Sequence, residues 1–117
     1  MHMIHITSVA VPSLAPTVTA LQRTSATSAR IEWDPIPHQN RNGDLVSYHL
    51  NYTIAMSGTC ATFSSGEPMT TLASPSDSVG FLTDLAPLQE YCLQVAGATA
   101  HGVGVFTRYW KIPCMLA

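Results

Sequence analysis

Apolar and polar residues alternate in short runs along this chain, and Gly, Pro, Asn and Ser punctuate the runs. No segment keeps a helical period over the ~11 residues that an amphipathic helix needs, so the pattern predicts strands throughout. The clearest run sets Ala29, Ile31 and Trp33 on one face and Arg30 and Glu32 on the other. Asp34-Pro35-Ile36-Pro37 ends it, because proline has no N–H to give a central ladder. In the longest run, residues 45–54, Tyr48, Leu50 and Tyr52 share a face against His49, Asn51 and Thr53. From Tyr91 onward, Tyr91, Leu93, Val95 and Gly97 oppose Cys92, Gln94, Ala96 and Ala98.

The remaining runs are less regular. Residues 17–22 offer Val18 and Leu21 to the core, and a spacing of three predicts a bulged edge strand. Short strands are expected at 59–63 and 79–82, with 69–73 a weaker pairing segment. The last strand, 105–112, sets Phe106, Arg108, Trp110 and Ile112 against Val105, Thr107, Tyr109 and Lys111. The first set has the larger hydrophobes and is expected inward, with Arg108 the misfit. Turns fall at 24–27, at 38–44 with Asn42-Gly43 at the tip, at 57–58, 64–68, 74–77 and 99–104. About seven strands at 8–12-residue spacing predict an all-β sandwich.

Composition narrows the function classes. The 117 residues suit one domain. Charged residues are only 10% of the chain, and 24 Ser and Thr supply the polarity instead. With 46% apolar residues the chain has the means for a core and lacks the profile of a disordered one. Five basic residues, at 23, 30, 41, 108 and 111, are too scattered for a nucleic-acid footprint. No run approaches the ~20 apolar residues of a membrane span. Residues 1–15 hold His2 and His5 but no Lys or Arg, so they do not read as a secretory signal. They are expected to be a tail, either a linker stiffened by Pro12 or cloning-derived sequence, before a domain at 16–114 and a short tail at 115–117. Ile4, Ile6, Val9 and Val11 alternate as an added edge strand would.

Three features in order resemble a fibronectin type III domain. Trp33 closes the second strand before Asp34-Pro35. The Asn42-Gly43 loop leads into Tyr48-His49-Leu50-Asn51-Tyr52. Leu85-Ala86-Pro87-Leu88-Gln89-Glu90-Tyr91 runs into Leu93-Gln94-Val95, with Gly102 and Gly104 beyond. The resemblance covers roughly residues 16–113. It implies a seven-stranded immunoglobulin-like antiparallel sandwich with Trp33, Tyr48, Leu50, Leu85, Pro87 and Tyr91 as its core signature. Tyr91 would be a tyrosine corner whose hydroxyl bonds turn backbone. One departure is Gly80, where a bulky inward residue is usual, beside an outward Phe81; either the strand is bulged or Phe81 is an exposed apolar spot. The implied role is a non-catalytic protein-binding, adhesion or spacer module of a larger extracellular or cell-surface chain. Its partners would be a protein or neighbouring domains, with no cofactor, nucleic acid or membrane insertion. Two alternatives stay open: a spacer in an intracellular or microbial multimodular protein, and a domain that self-associates through an edge strand.

Candidate chemistry is sparse. No GxSxG elbow or phosphate loop is present, and the acids fall mainly in turns or at outward positions. His38 and His101 lie on loops at the same end of such a fold, but nothing completes a metal set. Asn51-Tyr52-Thr53 is an N-glycosylation sequon on an outward strand position. The loops carrying His38, Asn40, Arg41, Asn42 and His101 are the candidate binding loops, and Tyr109 is the first aromatic candidate for an exposed interface. Of three cysteines, Cys92 and Cys114 are expected to pair, because they sit at the same end of adjacent antiparallel strands. Cys60, on a strand separated from Cys92 by another, would be too far in a flat sheet, although a bent hairpin would bring it back. Three reduced thiols, or a Cys60 bridge between chains, remain open alternatives.

Overall fold

A computed structural model describes residues 10–55, 60 and 68–114. The strands are β1 (Thr17–Ser25), β2 (Ser28–Asp34), β3 (Leu45–Ile54), β4 (Met69–Ala73), β5 (Val79–Leu82), β6 (Tyr91–Thr99), β7 (Gly102–Val103) and β8 (Trp110–Ile112). They form two antiparallel sheets, β1-β2-β5 and β4-β3-β6-β7, with β8 also on β6. The sandwich is thus the all-β architecture that alternation predicts. Its eighth strand arises because the last one is broken in two.

The core follows from strand parity. Ala29, Ile31 and Trp33 from β2 face Tyr48, Leu50 and Tyr52 from β3 and Tyr91, Leu93 and Val95 from β6, all buried. Each large side chain so placed contributes ~1.5–3 kcal/mol by leaving water. The Trp33 and Tyr48 rings meet at 5.3 Å, and Tyr52 meets Tyr91 edge-on at 6.1 Å. Gly80 explains its own presence. A Cβ there would lie 2.8 Å from Leu50 Cδ2 and 3.1 Å from the Trp33 ring, so the indole occupies the space a side chain would need. The pairing of β2 with β5 runs without a shift, so no bulge is involved, and Phe81 is a true exposed apolar residue at 57%.

Three local predictions are corrected. The fourth strand is Met69–Ala73, paired with β3 at five successive positions, whereas Cys60 is not in a strand and the rest of 59–63 lies outside the described residues. The predicted hairpin loop at 99–104 contains paired residues, Thr99↔Gly102 and Ala98↔Val103. Residues 105–109, predicted as the first part of the last strand, leave the ladder. Continuing the register of Ala98↔Val103 would set Phe106 opposite Val95 and Arg108 opposite Leu93. Instead Thr107 bonds Val95 and Trp110 pairs with Leu93, so two residues have been inserted. Thr107 N–H donates to Val95 O at 2.9 Å, and its Oγ1 accepts from Val95 N–H at 3.1 Å. These bulges resolve the misfit: Arg108 is exposed, with its guanidinium 4.4 Å above the Trp110 ring. Tyr109, expected outside, is half-buried.

The disulfide is the fourth correction. Cys60 and Cys92 are bonded, with Cα atoms 5.5 Å apart, and Cys114 is a free thiol. Cys92 pairs with Lys111, three residues short of Cys114, and Tyr91 with Ile112. At ~3.3 Å per residue that offset exceeds the reach of a bridge. A flat strand beside β3 would have held Cys60 away from Cys92. Cys60 lies in no strand, so strand spacing does not hold it away from Cys92.

At the end of the sandwich holding the β1–β2 turn, Arg23 is buried at 7% exposure and makes no ion pair with a carboxylate among the described residues. All five of its N–H groups go to carbonyls: Nε to Ser25, Nη1 to Gln89 and Pro113, Nη2 to Ala26 and Ala86, at 2.8–3.3 Å. The guanidinium also lies 5.8 Å from the Tyr91 ring centroid. Ala86 N–H donates to Tyr91 Oη at 2.7 Å, and Leu85 N–H donates to Thr27 O. One cation therefore ties together carbonyls of three segments, the β1–β2 turn, residues 86–89 and Pro113.

Replacing Arg23 by Met strips those carbonyls of their donors and is expected to lower unfolding free energy by about 2–4 kcal/mol in urea titration, with Lys recovering only part. A loss under about 1 kcal/mol would show that water substitutes for the guanidinium. Alkylation before reduction should label Cys114 alone. The Cys60→Ala/Cys92→Ala pair should lose about 3–4 kcal/mol, since the bridge spans 32 residues of sequence.

Candidate interaction surface

The upper end of the sandwich, where β2, β4 and β6 finish, gathers the residues 10–16, the 35–44 loop and the 74–78 turn. The 35–44 loop is built around Ile36. Its neighbours Pro35 and Pro37 keep it out of any ladder, yet its side chain is buried. Two side chains satisfy its backbone: Ile36 N–H donates to Tyr48 Oη at 3.3 Å, and Arg41 Nε donates to Ile36 O at 2.8 Å. Gly97 makes room for it, because a Cβ there would sit 2.5 Å from Ile36 Cδ1. A short 3-10 turn, His38–Asn40, and Asn42 at φ 58 complete the loop.

Residues 10–13 are stitched across this loop. Ala10 N–H donates to Asn42 O, Asn42 Nδ2 donates to Val11 O, and Ser13 N–H donates to Asn40 O. Thr99 Oγ1 donates to Ala10 O at 2.9 Å, tying the same segment to the end of β6. Pro12 is fully buried. Asn40 and Asn42, two of the candidate binding residues, are thus committed to the protein itself. His101 is exposed on the neighbouring turn, and its N–H donates to Thr99 Oγ1.

On the other side of the loop lies a groove of about 600 Å³ between Pro35, His38, Arg41, Asp44 and the turn Pro75 to Ser78. That volume falls within the range of small binding sites. The turn is held by Asp77 N–H donating to Ser74 O at 2.9 Å, and by Trp33 N–H donating to Ser78 O at 3.0 Å. Among the described residues Arg41 is held through Nε alone, which leaves its Nη fork to the groove. Asp44 and Asp77 make no ion pair among the described residues. The groove therefore combines fixed walls with one oriented cation and two carboxylates. The sequence pointed to the 38–44 loop, but not to its partner. The 74–78 turn carries only Ser, Pro and Asp, and only the topology brings it opposite Arg41.

The outer face of the β4-β3-β6 sheet holds the sequon. Asn51 is half-buried, and its Oδ1 accepts from Thr70 Oγ1 at 2.8 Å. His49, beside it, has its pKa pushed below the usual value because partial burial penalises the imidazolium. Among the described residues no three His, Cys, Asp or Glu side chains come together as a metal set.

No family model matches the sequence. The chain is 29% identical over 115 residues to a tyrosine-protein phosphatase Lar-like of Caenorhabditis elegans, covering 87% of this chain and 5% of that protein. It is 32% identical over 98 residues to protein sidekick-1 of Mus musculus, and 33% to that of Homo sapiens, covering 83% of this chain and 4% of each. It therefore spans about a twentieth of the length of these relatives. The third fibronectin III domain of human KIAA0343 protein superposes with a TM-score of 0.77 at 23% identity, over 100% of this chain and 94% of that one. The FN5 domain of Drosophila Lar superposes with a TM-score of 0.68 at 21% identity, over 92% of this chain and all of that one. With a three-stranded sheet packed on a broader one, Trp33 between them and Tyr91 reaching back to Ala86, this chain has the fibronectin type III fold.

Proposed function

We propose that the chain is a non-catalytic protein-binding module of a larger extracellular or cell-surface protein, and that its partner docks in the upper groove. The observation that carries this is the rigidity of both walls. Tyr48 and Arg41 hold the 35–44 loop, Ser74 and Trp33 hold the 74–78 turn, and binding orders little that is not already ordered. The Arg41 fork between Asp44 and Asp77 suits a protein surface bearing both signs of charge rather than a polyanion. The Cys60–Cys92 bridge supports an oxidising compartment. In that setting Asn51 is an N-glycan acceptor, on a face away from the groove. A spacer role is a second reading. It is favoured by a chain that enters at the upper end, bonded to Asn40 and Asn42, and leaves at the opposite end, where Arg23 holds Pro113 O.

A biotinylated chain, tetramerised on streptavidin, tests the first reading on the surface of animal cells. The Asp44→Lys/Asp77→Lys pair changes exposed residues only and should cut cell binding at least about tenfold, or 1.4 kcal/mol, with the fold intact by circular dichroism. Equal binding by both proteins would leave the spacer reading.

A further inference from the structure

We propose that β4 is a pairing edge on which a second copy of this chain adds its own β4, antiparallel, across a two-fold axis. This goes beyond the groove reading and uses a different part of the molecule.

Two open sheets leave four edges, and an exposed edge is a template for another strand unless something blunts it. β1 is blunted by register shifts between Val18 and Ala20 and between Arg23 and Ser25. The last strand is blunted by its two inserted residues and by Arg108 and Lys111. β5 is only four residues long. β4 carries none of these devices. It pairs with β3 in unbroken register from Tyr48↔Ala73 to Tyr52↔Met69, and Met-Thr-Thr-Leu-Ala contains no charge, proline or glycine. Among the described residues, nothing beyond β3 hydrogen-bonds to its backbone. Its hydrophobes are exposed, Leu72 on the outer face at 60% and Met69 at 47%.

A second copy fits this edge by its own sequence. With the two-fold at Thr71, Thr70 meets Leu72 of the second copy, Met69 meets its Ala73, and each pair occurs twice. Thr and Leu side by side on the outer face make a favourable cross-strand pair, and no like charges meet. The area sets the strength. Five residues a side bury well below the ~1,200 Å² of a standard interface, so the dimer is weak in dilute solution and gains where copies are concentrated on a surface.

Sedimentation velocity of the whole chain, with Cys114 capped by iodoacetamide to prevent bridged dimers, tests this. Between about 10 μM and 1 mM the weight-average mass should climb toward that of the dimer, as a Kd of order 0.1 mM requires. Leu72→Lys and Thr70→Lys, both at exposed positions, should weaken association at least about tenfold. Val105→Lys, exposed on the opposite edge, should leave it unchanged. A wild-type chain that stays monomeric throughout would overturn the proposal. So would lysine variants that associate like wild type, or a Val105→Lys variant that loses association equally.

Discussion

The indole of Trp33 is the wedge on which the molecule depends. It packs between the two sheets, and its reach favours a glycine opposite, since a Cβ at position 80 would crowd both the ring and Leu50 Cδ2. It rests on Tyr48, and Tyr48 spends its hydroxyl on Ile36. Through Ile36 the core extends into the 35–44 loop and fixes Arg41. The posture of a surface cation is thus set by a chain of contacts that begins between the sheets. A groove wall made this way resists distortion, because moving it means unpacking an aromatic pair.

The opposite end solves a different problem. There the chain turns from β1 to β2, crosses from β5 to β6, and departs after β8, so many carbonyls lack ladder partners. Arg23 answers them with one planar group whose five donors all point outward from a single carbon. A buried cation without a counter-ion is costly in general. Here the carbonyl dipoles and the Tyr91 ring do the work of a carboxylate, and each segment's position becomes conditional on the others.

Much of this was legible in the sequence, because parity is a local property. Tyr48, Leu50, Leu93 and Val95 announce their faces by spacing alone, and Trp33 before Asp34-Pro35 marks the end of its strand. What stayed hidden depends on registers that spacing does not encode. Arg108 stood out as a misfit among inward residues, which was the trace of the inserted residues, but nothing in the run said where they lay. Cys60 was disfavoured because a flat strand would hold it away from Cys92, but Cys60 lies in no strand and is bonded to Cys92, which the spacing of hydrophobic positions does not encode. Arg23 looked like one more scattered base, since its partners are backbone carbonyls from distant positions and leave no mark in side-chain identity.

The cross-link also governs how the domain responds to tension applied across its two ends. Pulled from its two ends, the polypeptide straightens everywhere except inside the covalent loop closed by Cys60 and Cys92. At ~3.3–3.6 Å per residue, those 32 positions withhold roughly 100 Å of contour length. Both Met69–Ala73 and Val79–Leu82 lie within the protected stretch, so they stay inside the cross-linked loop even when the rest of the chain is drawn out.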